Sequence, residues 1–458
     1  MKKKNKLLFL GLLLLLLFSS CAPRRIEYLQ ARRELILKDE EKKQVDFNPD
    51  DIYKFEDMDS YLSWYENLDK PVNLVFKDKE EKKPLTKDEM VEDFDYFFRQ
   101  IKENYPFFGV LKRQAGIDFL NKYPTYLNEI KYCKDDEEFI KTMEKIIGDL
   151  QNDHVSLADR AYVKESLNYY SKFFKDPSMY YEFLAMNQEK VRDRYNINGV
   201  QSSRDLDGVR KKRSESVINE NISCENLGDG LGIIRIKQML AEYELSRDMK
   251  ILDDFLEKNK DLKAIIIDIR DNAGGNSEYW QKYLLPRLMR KNESLTNHMF
   301  FKDGMRSKLL LESEEVGVKG IEDVNIEKMN LNYKEDLKHF SYYSKDPIEI
   351  SPKDDKKFEG DLYLLVNEGV YSSAEGLASF CKNTNAATLV GKKTGGDGIT
   401  LGVINDVMPN SGLVFTYTNT LGYAPDGTIN EEAKTDVDII AESFDEAVAI
   451  IKQREEIN

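Results

Sequence analysis

Histidine is scarce in this chain: only His154, His298 and His339 occur in 458 residues. Cysteine is nearly as rare, at Cys21, Cys133, Cys224 and Cys381. No two cysteines have the spacing of a C-x-x-C metal or redox site, and three histidines far apart in sequence do not suggest a His-rich metal centre. Apart from Cys21, three thiols allow one disulfide at most, so buried free thiols are the expectation. Positive charge is also short. The net charge is −15, and without Met1–Ser20, which holds four lysines and no acid, it falls to −19. A surface that acidic disfavours nucleic acid and anionic lipid as main partners. Apolar residues are not lacking: 41% of the chain is apolar and 11% aromatic, enough to exclude a disordered chain. The length calls for more than one ordinary domain and fewer than four.

The first 20 residues read as an export signal. Lys2, Lys3, Lys4 and Lys6 precede the apolar run Leu7–Phe18, which is short of the roughly 20 residues of a spanning helix. Phe18-Ser19-Ser20-Cys21 then resembles a bacterial lipobox, which implies cleavage before Cys21 and lipidation of its thiol. Residues 21–85 carry dense charge runs at 38–43 and 77–83 and read as a tether or N-terminal segment.

An N-terminal helical region is expected over 86–157. Thr86-Lys87-Asp88-Glu89 has the form of a capping box, with Leu85 and Met90 placed as a hydrophobic staple. Met90, Phe94, Phe97, Phe98 and Ile101 recur at helical spacing up to Asn104, ahead of Tyr105-Pro106. A second helix is expected from about Asp136 to Leu150. Residues 158–225, rich in Tyr, Lys, Arg and Asp, read as an insertion or small domain. From 226 to 458 an α/β core is expected. Gly232–Ile236, Ala264–Asp268, Leu362–Val366 and Thr388–Val390 have the character of strands, several buried on both faces, with helical segments between them. Residues 290–357 read as a polar, irregular insertion.

Three segments could carry chemistry. His154 lies just past the second helix, in Asn152-Asp153-His154. Asp268-Ile269-Arg270-Asp271-Asn272-Ala273-Gly274-Gly275 follows a buried strand, and its paired glycines would let backbone amides approach a ligand. Ser372-Ser373-Ala374-Glu375 stands between a strand and a helix, where a hydroxyl is presented beside free amides at the positive end of the helix dipole. An N-cap serine is the ordinary use of such a position. The absence of Gly-x-Ser-x-Gly argues against an α/β-hydrolase elbow.

Taken in order, these segments resemble peptidase family S41, the C-terminal processing and tricorn-like serine proteases. Gly391-Lys392-Lys393-Thr394-Gly395-Gly396 is similar to the family's Gly-x-x-Thr-Gly-Gly turn. Glu431, seven residues before Asp438, is similar to its closing segment, although Val437 stands where the family has proline. The resemblance covers about 86–157 and 226–445 and implies a ClpP/crotonase-like mixed-sheet core. It selects Ser372 as nucleophile, with Ser373 the alternative. It implies an oxyanion hole made by the amides of Gly274, Gly275 and Ser373. At the lysine and glutamine positions of the family's Ser–Lys version this chain has Asp397 and Leu401, which cannot fill those roles. The Ser-His-acid version fits instead, with His154 as base and Glu431 as its orienter. Glu432 and Asp153 are alternatives for that last role. Glu375 is assigned no chemistry. No metal or organic cofactor is implied, and no peptide-binding PDZ segment is recognisable in 158–225. The expected function is a lipid-anchored serine peptidase outside the cytoplasm, acting on peptides or unfolded protein. A non-catalytic binding lipoprotein with the same fold is the alternative.

Overall fold

A computed structural model describes residues 83–170, 177–197, 221–241, 245–313, 317–353 and 358–456. The segment expected to be an export signal, Cys21 and nearly all of the expected tether lie outside these residues.

Helix α1 (Lys87–Asn104) begins as its sequence requires. Thr86 Oγ1 accepts the Glu89 amide at 3.3 Å and Glu89 Oε2 accepts the Thr86 amide at 2.7 Å. Met90, Phe94, Phe97, Phe98 and Ile101 are buried, so the apolar stripe faces the core. α2 (Phe108–Ala115), α3 (Tyr123–Tyr132) and α4 (Asp136–Gly148) complete a helical layer. Asp135 caps α4 by accepting the Glu138 amide at 2.9 Å. A two-residue strand, β1 (Ser156–Leu157), follows.

The segment read as an insertion or small domain begins with α5 (Arg160–Tyr170), α6 (Pro177–Met186) and α7 (Glu189–Arg194). Their apolar residues, among them Val163, Leu167 and Met186, pack on Val407 and Val414. Residues 198–220 of this segment lie outside the described ones.

The core is a six-stranded sheet. Its first members are β2 (Ile222–Asn226), β3 (Leu231–Ile236) and, after helix α8 (Leu245–Lys258), β4 (Ala264–Asp268). Every residue of β4 is buried. Ile265 and Ile267 face α8, whereas Ala264 and Ile266 join a cluster on the other face. This two-sided burial is why the strand reads as a continuous apolar run rather than an alternation.

After a short helix, α9 (Leu285–Leu288), the region expected to be irregular is ordered by pairing. β5 (Glu293–Phe301), helix α10 (Met305–Ser313), β6 (Lys319–Gly320) and β7 (Tyr342–Ile350) follow in turn. β5 and β7 pair antiparallel along their whole length, from Glu293↔Ile350 to Phe301↔Tyr342. The register was hidden because one face of the ribbon is polar and its two strands lie about 40 residues apart in sequence.

The chain then returns to the core sheet through β8 (Asp361–Val366), helix α11 (Ser373–Thr384) and β9 (Thr388–Gly391). β10 (Ile404–Val407), β11 (Val414–Tyr417) and β12 (Thr420–Tyr423) are short and fully buried. The turn of helix α12 (Asn430–Ala433), strand β13 (Ile439–Ile440) and helix α13 (Phe444–Arg454) close the fold. The six-stranded order is β13-β9-β8-β4-β3-β2. All its neighbours are parallel except the β2–β3 pair. Two smaller sheets, β1-β11-β10 and β12-β5-β7-β6, link the helical layer to it.

Candidate active site

Three turns meet at the carboxyl ends of the parallel strands. The first follows β4 and runs through Asp271–Gly275. The second follows β8 and carries Tyr371 and Ser372. The third follows β9 and carries Gly395–Gly398. Backbone bonds tie them together: the Tyr371 amide donates to Asn272 O at 3.2 Å, the Ser372 amide to Gly396 O at 3.2 Å, and the Gly395 amide to Val370 O at 2.7 Å. The approach is close enough to demand glycine. A Cβ on Gly274 would stand 2.8 Å from the Ser372 Cβ and the Ser373 amide nitrogen, and one on Gly275 would stand 2.1 Å from Met239 O. Both glycines hold positive φ, at 104° and 128°.

Ser372 stands just before α11 with φ 54° and ψ −127°, a conformation that costs a non-glycine residue of order 1–3 kcal/mol. It is the positional N-cap of α11, yet its side chain makes no capping hydrogen bond. The hydroxyl is turned instead toward His154, whose Nε2 lies 3.0 Å from Ser372 Oγ.

His154 is held by the turn after α4. Its amide donates to Asn152 Oδ1 at 3.1 Å, and its carbonyl accepts the Thr416 hydroxyl at 2.8 Å as the chain enters β1. The imidazole packs beside the Tyr371 ring at 4.9 Å between centroids. Its Nδ1 lies 2.7 Å from Asp397 Oδ2. A carboxylate only accepts, so this contact puts the ring proton on Nδ1 and leaves Nε2 to take the serine proton. Asp397 is 2% exposed, and its Oδ2 also accepts from Asn152 Nδ2 at 3.2 Å and from the Tyr371 hydroxyl at 3.4 Å.

Two expectations are corrected here. Glu431 does not orient the imidazole: both ring nitrogens are engaged by Asp397 and Ser372. Glu431 instead accepts from Asn152 Nδ2 at 3.0 Å, one residue pair removed from the ring. Glu432 is drawn outward to Arg113, whose Nη2 donates to it at 2.6 Å. The Gly274 amide is also not free for an oxyanion, since it donates to Asn272 Oδ1 at 2.9 Å. Among the described residues the amides of Gly275 and Ser373 donate no hydrogen bond.

The resemblance does not point to Asp397 as the partner of His154, because that position is where the family's Ser–Lys version has a lysine, which works as a neutral amine. A sharper signal was present: an acid flanked by Gly395, Gly396 and Gly398 sits in a turn that can be pressed against a neighbour. Its own φ is +52°. Glu375 is wholly buried behind the site, where Oε1 accepts from Asn430 Nδ2 at 2.8 Å and from the Thr435 hydroxyl at 2.6 Å. Burial pushes its carboxyl up to about 7. His298 is half-buried on β5 with Nδ1 2.9 Å from the Tyr343 hydroxyl, and His339 is exposed; neither belongs to the site.

No curated protein matches the chain by sequence. Mature CPAF is similar in structure at 13% identity and TM-score 0.50, with 81% of this chain and 96% of that one covered. A protein of Parabacteroides merdae ATCC 43184 described as a candidate peptidase aligns at 17% identity and TM-score 0.49, over 80% and 94% of the two chains. The photosystem II D1 C-terminal processing protease aligns at 12% identity and TM-score 0.39, over 78% and 94%. At 13% identity the likeness to mature CPAF concerns the fold alone. Residues 230–441, the α/β core, match the sequence profile of peptidase family S41.

Proposed function

We propose that this protein is a serine-type peptidase that hydrolyses peptide bonds of peptides or unfolded proteins at the bacterial cell envelope, held to the membrane by lipid on Cys21. The observation that carries the catalytic part is the unbroken line Asp397 Oδ2–His154 Nδ1, His154 Nε2–Ser372 Oγ, at 2.7 and 3.0 Å. A serine hydroxyl attacks poorly until a base takes its proton. His154 accepts that proton as Ser372 Oγ bonds to the carbonyl carbon, then returns it to the leaving amine. Asp397 holds the tautomer and stabilises the imidazolium. The amides of Gly275 and Ser373 receive the developing oxyanion; a donor of this kind is worth about 3–4 kcal/mol in the transition state. Water, activated by the same histidine, releases the acyl group.

A fluorophosphonate probe tests this reading without knowledge of the substrate. Labelling of the wild-type chain that vanishes in Ser372→Ala is expected. Labelled full-length protein should partition with membranes and take up a fatty-acid analogue, and Cys21→Ser should do neither. A folded protein that binds peptides and takes no label would identify a binding protein that retains the fold.

A further inference from the structure

Behind the imidazole stand the buried carboxyl group of Asp397, the partly buried one of Glu431, and one amide. Asn152, 1% exposed, donates from the same Nδ2 to Asp397 Oδ2 at 3.2 Å and to Glu431 Oε1 at 3.0 Å. The other oxygen of Glu431, Oε2, is closed off from solvent and meets no hydrogen-bonding partner among the described residues. The charged and titratable groups around Glu431 come from four elements. Asp397 lies on the turn after β9, Asp153 on the turn after α4, Tyr371 on the nucleophile turn, and Lys434 just past α12. Among the described residues none of them, nor any other cation, forms an ion pair with it. Two carboxylates held on one amide donor repel each other when both are ionised, and the pair is relieved if one keeps a proton. Asp397 faces the imidazole N–H and gains from charge. Glu431 faces only an amide and gains little.

Resting on the catalytic reading above, we infer that Glu431 serves as a neutral acid, a positioning residue that stores a proton beside Asp397 and keeps the charge behind His154 at one. Burial and then the charge of Asp397 push the Glu431 carboxyl well above the ordinary carboxylate range, in line with this geometry. Ionising Glu431 would place a second negative charge beside Asp397. The two would repel, Asn152 could no longer serve both well, and Asp397 would be displaced from Nδ1. Activity therefore rises as His154 loses its proton and falls again when Glu431 loses its own.

The test uses the full chain and the rate of inactivation by a fluorophosphonate. Wild type is expected to show a bell-shaped pH profile. Glu431→Gln should lose the alkaline fall while its maximal rate stays within about tenfold of wild type, because the amide keeps shape and a neutral state. Asp397→Asn should lose about 10⁴-fold. Infrared difference spectra at about pH 8, above the ordinary carboxylate range, should show one protonated-carboxyl band lost in Glu431→Gln and retained in Glu375→Gln. A Glu431→Gln loss as deep as that of Asp397→Asn, or the absence of such a band, overturns the inference. If Glu431→Gln does not fold, Glu431→Met provides the same spectral comparison. Failure of the wild type to label at all would count against Ser372 as nucleophile, while the infrared band would still decide the protonation of Glu431.

Discussion

At Ser372 and Glu375, three residues apart, strain and burial are concentrated in one turn. Ser372 holds a backbone conformation that the three bonded turns around it impose. Glu375, on the first turn of α11, is sealed beneath it. Burial is the main cause of its raised pKa, opposed by hydrogen bonds from Thr394, Thr435 and Asn430. The consequence for stability has a definite sign. The folded chain keeps the Glu375 proton up to about 7, whereas the unfolded chain releases it near 4.5. Between those values the folded state binds more protons, so this contribution is fully present below 4.5 and is lost as pH rises to 7. A shift of that size corresponds to roughly 3 kcal/mol. Asp93, raised to about 6 by burial, acts in the same direction, so the informative quantity is a difference. Urea unfolding of wild type and Glu375→Gln at both ends of the window should show the wild type losing roughly 3 kcal/mol more. Equal pH dependence in the two chains would refute the assignment.

At the scale of elements, the short helix α12 matters because it carries Glu431 and has too few residues to hold itself in place. Its position is set from outside. Arg113 of α2 grips Glu432 with Nε at 2.8 Å and Nη2 at 2.6 Å, and reaches Asp336 with Nη1 at 2.9 Å. The Gln114 side chain donates to Glu432 O at 3.1 Å, and the Arg113 guanidinium lies 3.8 Å from the centre of the Tyr333 ring. Paired arginine–carboxylate bonds of this kind are directional and stronger than neutral ones. The Arg113 side chain is about a quarter exposed, so solvent screens part of the gain. Arg113→Ala is expected to destabilise the protein by about 2 kcal/mol in urea unfolding. A change below about 0.5 kcal/mol would mark the cluster as an ordinary surface pair. Helix α1 and strand β4, by contrast, carry their own instructions. A capping box and an apolar stripe define the one, and a two-sided apolar run the other.

For the molecule as a whole, the decisive feature is that the helical layer and the core share one hydrophobic interior. Phe97 of α1 packs edge-on against Phe415 of β11 at 5.1 Å, and the cluster around them continues to Phe300 and Tyr423. The buried Tyr96 hydroxyl also donates to Asp406 Oδ1 on β10 at 2.7 Å. His154 and Ser372 belong to the two sides of this contact. The layer and the core are therefore expected to unfold together. Hydrogen-exchange protection across 86–150 and across β3, β4 and β8 should be lost at the same urea concentration. Earlier loss of the helical layer would show it to be a separate unit.

Local chemistry made much of this legible in the residues themselves. The capping box at Thr86, the helical stripe to Ile101, the buried strands and the strand-to-helix placement of Ser372 each depend on neighbours a few positions away. The pairing of β5 with β7 and the partner of His154 do not. Asp397 and Glu431 are both acids beside glycines or in short polar turns, and nothing within either segment says which one meets an imidazole held 243 or 277 residues earlier in the chain. That choice was made by packing: the β9 turn is pressed against the turn that carries Ser372, while α12 is pulled toward Arg113. Sequence determined which side chains could do the chemistry, because reactivity is a property of residue type. Only the tertiary structure decided which acid touches the histidine, because contact between distant segments is set by how the whole chain closes on itself.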